Sequence, residues 1–102
     1  WNARIMGRKG LGVFQRHELH HCKAWDKQNY FDTVDIIESH DLDQIVAYEN
    51  SQGQSYSNTI QQILFHISNH FSHHRGQLVR VMRKSGMELP VTDYIFYQRE
   101  NM

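Results

Sequence analysis

What the chain lacks removes several function classes first. It has one cysteine, Cys22, in 102 residues, so no intrachain disulfide can form and a reducing compartment fits. Lys and Arg number 11 against 11 Asp and Glu, with a pI near 7.3. That balance leaves no electrostatic footprint for nucleic acid or an anionic membrane surface. No apolar run approaches the roughly 18–20 residues that a membrane span requires, and the N-terminus lacks the apolar core of a signal peptide. The expectation is a cytoplasmic protein, one small domain over residues 1–102. The first residue is Trp1 rather than Met, already in a helical pattern. An element is therefore expected upstream of it.

What the chain has in excess is histidine: eight residues, at 17/20/21, at 40 and at 66/70/73/74. A terminal affinity tag would be contiguous, and these are not.

The order of elements follows from punctuation. Trp1 to Met6 reads as a helix tail stopped at Gly7 and the basic stretch Arg8-Lys9-Gly10-Leu11-Gly12. From about Arg16 to Ser39 no Pro or Gly interrupts a helical pattern, though Trp25, Asn29, Val34, Ile36 and Ile37 do not share one line. Ile45-Val46-Ala47-Tyr48 is β-prone, Asn50 to Gln54 is turn-rich, and Ser55-Tyr56-Ser57 returns as a second strand. Gly53 supplies the positive φ such a hairpin needs. A long helix starts near Ser57-Asn58-Thr59, where any of the three can cap it, and runs to Lys84-Ser85. Gly86 is its stop, with Pro90 beyond, and Arg80, Arg83 and Lys84 complement its C-terminal dipole. Val91 to Tyr97 forms a short closing helix expected to pack Tyr94, Ile95 and Tyr97 inward.

At about 100° per residue, Ile60, Ile63, Leu64, Ile67, Phe71, Leu78, Val81 and Met82 fall in one core-facing stripe. His74 lies inside that stripe and His70 on its edge; His66 and His73 fall progressively outside it. Burying imidazoles among Ile, Leu and Phe costs free energy unless each nitrogen is satisfied. A hydrogen-bonded core pair is one solution. A divalent metal is the other, since neutral imidazole suits Zn²⁺ and Ni²⁺ and residues one turn apart reach one ion. A catalytic metal normally takes three protein ligands, so a third must come from elsewhere. His17, His20, His21 and Cys22 form a second cluster near a helix start, read as a solvated face or an adventitious metal binder. His40 reads as a capping or dipole partner.

Phe65-His66-Ile67-Ser68-Asn69-His70 followed by His74-Arg75-Gly76-Gln77-Leu78 resembles the signature helix of the DinB/YfiT-like family. Gly86, Pro90, Asp93-Tyr94-Ile95 and Tyr97 match its C-terminal pattern. Tyr48-Glu49-Asn50 with Gly53, and Trp1, Arg4 and Gly7, match its earlier parts. The resemblance implies an all-α four-helix bundle with a small β-hairpin before the last long helix, its first helix missing here. It further implies a homodimer and a divalent metal, Zn or Ni, held by three histidines. His70 and His74 are two of these; the third is expected upstream of Trp1. Without the first helix the bundle would expose an apolar groove that a partner chain can fill.

Some members of the family are thiol-dependent transferases using small bacterial thiols, and metal-dependent hydrolysis is a related chemistry. A metal would make a bound thiol nucleophilic at neutral pH. Glu18, Glu49 and Asp93 are general-base candidates by residue type alone. Arg75 can steer an anion or form an ion pair. Gly76 is expected to admit a neighbouring helix. Gln77 is either a partner of a ligand histidine or an interface residue. The alternative to an enzyme is a non-catalytic dimeric bundle with a structural or vestigial histidine site.

Overall fold

Local chain punctuation sets nearly every element boundary. A computed structural model describes residues 1–12 and 15–100, in two compact units, Trp1–Ile67 and Ser68–Met102. The first unit holds α1 (Asn2–Ile5), α2 (Leu19–Ser39), β1 (Ile45–Glu49), β2 (Ser55–Thr59) and the opening of α3 (Ile60–Lys84). The second holds the rest of α3 and α4 (Tyr94–Glu100). The architecture is mainly helical, with one antiparallel hairpin ahead of the last long helix.

In the first unit α1 ends at Met6, and Gly7 follows with φ +69°. α2 starts at Leu19, three residues later than the unbroken pattern allows, and no side chain caps it. Its C-cap is His40, whose N–H donates to the Ile36 carbonyl at 3.0 Å. His40 is thus a cap through its backbone. The strands pair in the register Ile45↔Thr59 to Glu49↔Ser55. Their turn is closed by Asn50 Oδ1, which accepts from the N–H groups of Gln52 and Gln54, both at 2.9 Å, with Gly53 at φ +76°.

Of the three possible caps on α3, Thr59 is the one used. Gln62 N–H donates to Thr59 Oγ1 at 3.2 Å, and Thr59 N–H donates to Gln62 Oε1 at 3.0 Å. This reciprocal pair is a capping box. Two further amides at the helix start, of Ile60 and Gln61, donate to the carbonyls of Gln44 and Leu42 at 3.0 Å each. The hairpin loop and the helix start therefore satisfy each other's backbone groups.

Ile5, Ile36, Val46, Ile60 and Ile63 form the core, with Met6, Leu42, Leu64 and Ile67 packed against it. Ile36 and Ile60 are fully buried, each contributing roughly 1.5–3 kcal/mol of transfer free energy. Buried Asn2 ties α1 to α2, donating from Nδ2 to the Asn29 carbonyl at 3.0 Å and to Thr33 Oγ1 at 2.9 Å. Arg8 adds a 2.8 Å ion pair to Asp32.

In the second unit α3 closes in a Schellman motif. Met87 N–H donates to the Met82 carbonyl at 3.2 Å and Gly86 N–H to the Arg83 carbonyl at 3.0 Å, with Gly86 at φ +85°. α4 begins at Tyr94, and none of its residues is buried. The expectation that Tyr94, Ile95 and Tyr97 pack inward is corrected: all three are exposed. A seven-residue helix with aromatic residues on successive positions presents no single face to bury.

Candidate metal centre

α3 carries the histidines expected to bind metal, and it buries only Ile60 and Ile63. Beyond Ile67 the apolar stripe continues in sequence but not in burial. Phe71, Leu78 and Val81 are 63%, 59% and 65% exposed. His70 and His74 are likewise exposed, which corrects their placement among core side chains. The periodicity identifies a face correctly, but coverage of that face depends on a neighbouring element, which periodicity does not supply. Solvent therefore satisfies the nitrogens of this pair without a metal.

The two rings meet edge to face, with centroids 4.4 Å apart and planes at 84°. Nε2 of His74 lies 2.9 Å from Nε2 of His70. Nδ1 of His74 lies 3.0 Å from Oε1 of Gln77, one turn further along. An amide oxygen only accepts, so this contact is a hydrogen bond in the tautomer of His74 that is protonated at Nδ1. In that tautomer Nε2 of His74 carries a lone pair toward His70. Two nitrogens sharing a tetrahedral Zn²⁺ stand roughly 3.3 Å apart, given metal–nitrogen distances near 2.0–2.1 Å. A small opening of the pair, well within side-chain rotation, fits both to one ion. The donor set is chemically suited to a borderline divalent metal.

The other histidines are engaged elsewhere. His73 stands beside the pair, its ring centroid 6.4 Å from that of His70 and 5.4 Å from that of His74. His66 packs edge-on against Trp1, at 5.3 Å and 73°. His17 and His21 both lie against the Trp25 ring, at 4.3 and 5.7 Å, and His20 Nδ1 is 3.3 Å from a Glu18 carboxylate oxygen. Cys22 is an exposed free thiol. Among the described residues no three His, Cys, Asp or Glu side chains converge into a metal-binding group. The structure thus brings His70 and His74 together, and the described residues provide a pair.

Of the general-base candidates, Glu18 is engaged with His20. Glu49 and Asp93 take part through their backbone carbonyls, accepting from Arg4 and from the Phe96 N–H. Arg75 is half-buried. Gly76 corrects a second expectation: a Cβ placed there would meet nothing within 4 Å, so it admits no close neighbour among the described residues.

Sequence reasoning missed one feature, a recess of about 200 Å³ in the first unit, lined by Trp1, Tyr48, Asn58, Gln62, Ile63 and His66. Arg4 lies over the Trp1 and Tyr48 rings, at 4.5 and 5.0 Å. Tyr48 Oη donates to Asn58 Oδ1 at 2.7 Å, and Asn58 Nδ2 to Gln62 Oε1 at 3.2 Å. These residues come from the start of α1 and its N-cap Trp1, the hairpin and α3, so no local spacing announces them.

The chain matches the family model of the DinB family over residues 18–101. It belongs to the DinB family. No curated protein and no solved structure matches it. The match spans α2, the hairpin, α3 and α4, so the His70–His74 pair lies inside the part of the chain that defines this DinB domain. No helix among the described residues is long and apolar enough to cross a membrane.

Proposed function

We propose that this DinB-family chain binds a divalent metal, zinc or nickel, through Nε2 of His70 and Nε2 of His74, and serves a thiol-dependent S-transferase reaction. The observation that carries this reading is the 2.9 Å approach of the two Nε2 atoms, with Nδ1 of His74 held by Gln77. When bound, the ion would lower the pKa of a coordinated thiol or water and make it nucleophilic at neutral pH. The chain's own share is to present two imidazoles from one helical turn of α3. A third ligand would have to come from outside the described residues.

The same reading includes the family's four-helix bundle and a homodimer in the cytoplasm. Supporting it are the exposed large apolar side chains of α3 and α4, among them Phe71, Leu78, Val81, Tyr94 and Ile95. A second reading, a non-catalytic dimeric bundle with a structural or vestigial site, is favoured by the lack of a third converging ligand among the described residues.

Metal analysis of the purified protein separates the two. One zinc or nickel per His70–His74 pair, lost in His74→Ala, supports the metal protein. A metal-free protein of unchanged stability supports the vestigial site. Transfer of a small bacterial thiol to an electrophile, against hydrolysis of the same compound, then identifies the reaction.

A further inference from the structure

The recess in the first unit has a hydrogen-bond polarity that the capping box of α3 sets. Gln62 Oε1 accepts the Thr59 backbone N–H at 3.0 Å. A backbone N–H only donates, so the oxygen of Gln62 is fixed toward the cap and Nε2 is its other end. Asn58 lies 3.2 Å from the same Oε1 and must therefore turn Nδ2 toward it. Its Oδ1 then faces Tyr48, whose hydroxyl donates to it at 2.7 Å. The remaining N–H of Asn58 Nδ2 and both N–H groups of Gln62 Nε2 have no acceptor among the described residues. Trp1 and Ile63 supply apolar wall, and no acidic side chain lines the recess. Arg4 lies over the Trp1 and Tyr48 rings and donates to the Glu49 carbonyl at 3.1 Å. No carboxylate among the described residues pairs with its charge.

We propose that this recess binds a small aromatic carboxylate, its ring against Trp1 and Ile63 and its oxygens on the Asn58 and Gln62 amides. Size, polarity and charge each select that class. An apolar cavity of about 150 Å³ takes up benzene, so the recess of about 200 Å³ admits one six-membered ring with a short substituent. The unengaged N–H groups call for acceptor oxygens, and an ionised acceptor makes hydrogen bonds roughly twice as strong as a neutral one. The charge of Arg4 attracts an anion and repels a cation. The bonds from Thr59, Asn58 and Tyr48 already hold both amides in place, which lowers the ordering cost of binding. The site lies within the first unit and needs no metal, so it stands or falls apart from the His70–His74 reading.

The test titrates the ¹⁵N-labelled full chain with benzoate, benzamide and benzylamine, following the side-chain amide signals of Asn58 and Gln62. Benzoate should shift both signals saturably, with a Kd on the order of 1 mM for so small a ligand. Benzamide should bind severalfold more weakly, and benzylamine should leave the signals in place. Gln62→Glu keeps the oxygen that caps α3 but removes the donors and adds a negative charge. Its benzoate affinity, read at Asn58, should fall about 10–100-fold at unchanged helix content by circular dichroism. Arg4→Gln leaves the amide network intact and should narrow the preference for benzoate over benzamide. Four results would overturn the proposal: no saturable benzoate shift in wild type, benzylamine binding as tightly as benzoate, Gln62→Glu binding benzoate like wild type, or an unchanged preference in Arg4→Gln.

Discussion

Asn2 shows how much one polar side chain can organise in a domain with so small a core. Its Nδ2 bridges two positions of α2, while its Oδ1 is buried with no partner among the described residues. The two bonds stabilise the α1–α2 contact, and the orphaned oxygen offsets part of the gain. Asn2→Ala should accordingly cost about 1–2 kcal/mol, near the low end for two hydrogen bonds, readable as a lowered urea midpoint at unchanged slope. Asp32 is a second residue-scale case. The hydrogen bond from Gln28, then the bond and charge of Arg8, hold its carboxyl below the usual carboxylate range. A depressed folded pKa stabilises above the unfolded value, near 3.9, and that contribution disappears as pH falls through the folded one. Thermal unfolding should therefore show Asp32→Asn less stable than wild type at pH 7, with the gap closing below about pH 3–4.

The caps decide the elements. Removing the Thr59 hydroxyl leaves the Gln62 amide unsatisfied, so Thr59→Ala should cost about 1 kcal/mol and fray the start of α3. Gly86→Ala places a Cβ on a left-handed residue and should cost roughly 1–2 kcal/mol, although nothing stands within 4 Å of that Cβ. Chemical denaturation followed by circular dichroism measures both. These boundaries were legible in the sequence because caps, glycine stops and an Asn-containing turn act over three or four residues. The hairpin, the long helix with its stop at Gly86 and the pairing of His70 with His74 are all local in this sense. Burial was not legible. Nothing within α3 distinguishes the covered stripe at Ile60 and Ile63 from the exposed one at Phe71, Leu78 and Val81, because cover comes from other elements. The same reasoning explains the late start of α2: no residue at its N-terminus makes a side-chain cap, so the pattern alone sets no boundary there.

For the whole molecule, the unit 1–67 has a closed apolar core, while Phe71, Leu78 and Val81 of α3 and Tyr94, Ile95, Phe96 and Tyr97 of α4 stand in solvent. If the homodimer covers this surface, light scattering at tens of micromolar should give twice the chain mass, and Leu78→Glu should return it to one. A wild type that remains monomeric at those concentrations would contradict the dimer. The proposed metal site belongs to this scale too, since two ligands from one helix hold a catalytic ion only when the assembly supplies the rest.

The most direct test of the central claim is a Zn²⁺ titration of the ¹⁵N-labelled protein, followed at the imidazole nitrogens. Nε2 of His70 and Nε2 of His74 should shift together and saturate at one ion per pair, while His66 and His73 stay in place. Shifts confined to His66, His73 or the 17/20/21 cluster, or no saturable shift at all, would contradict it.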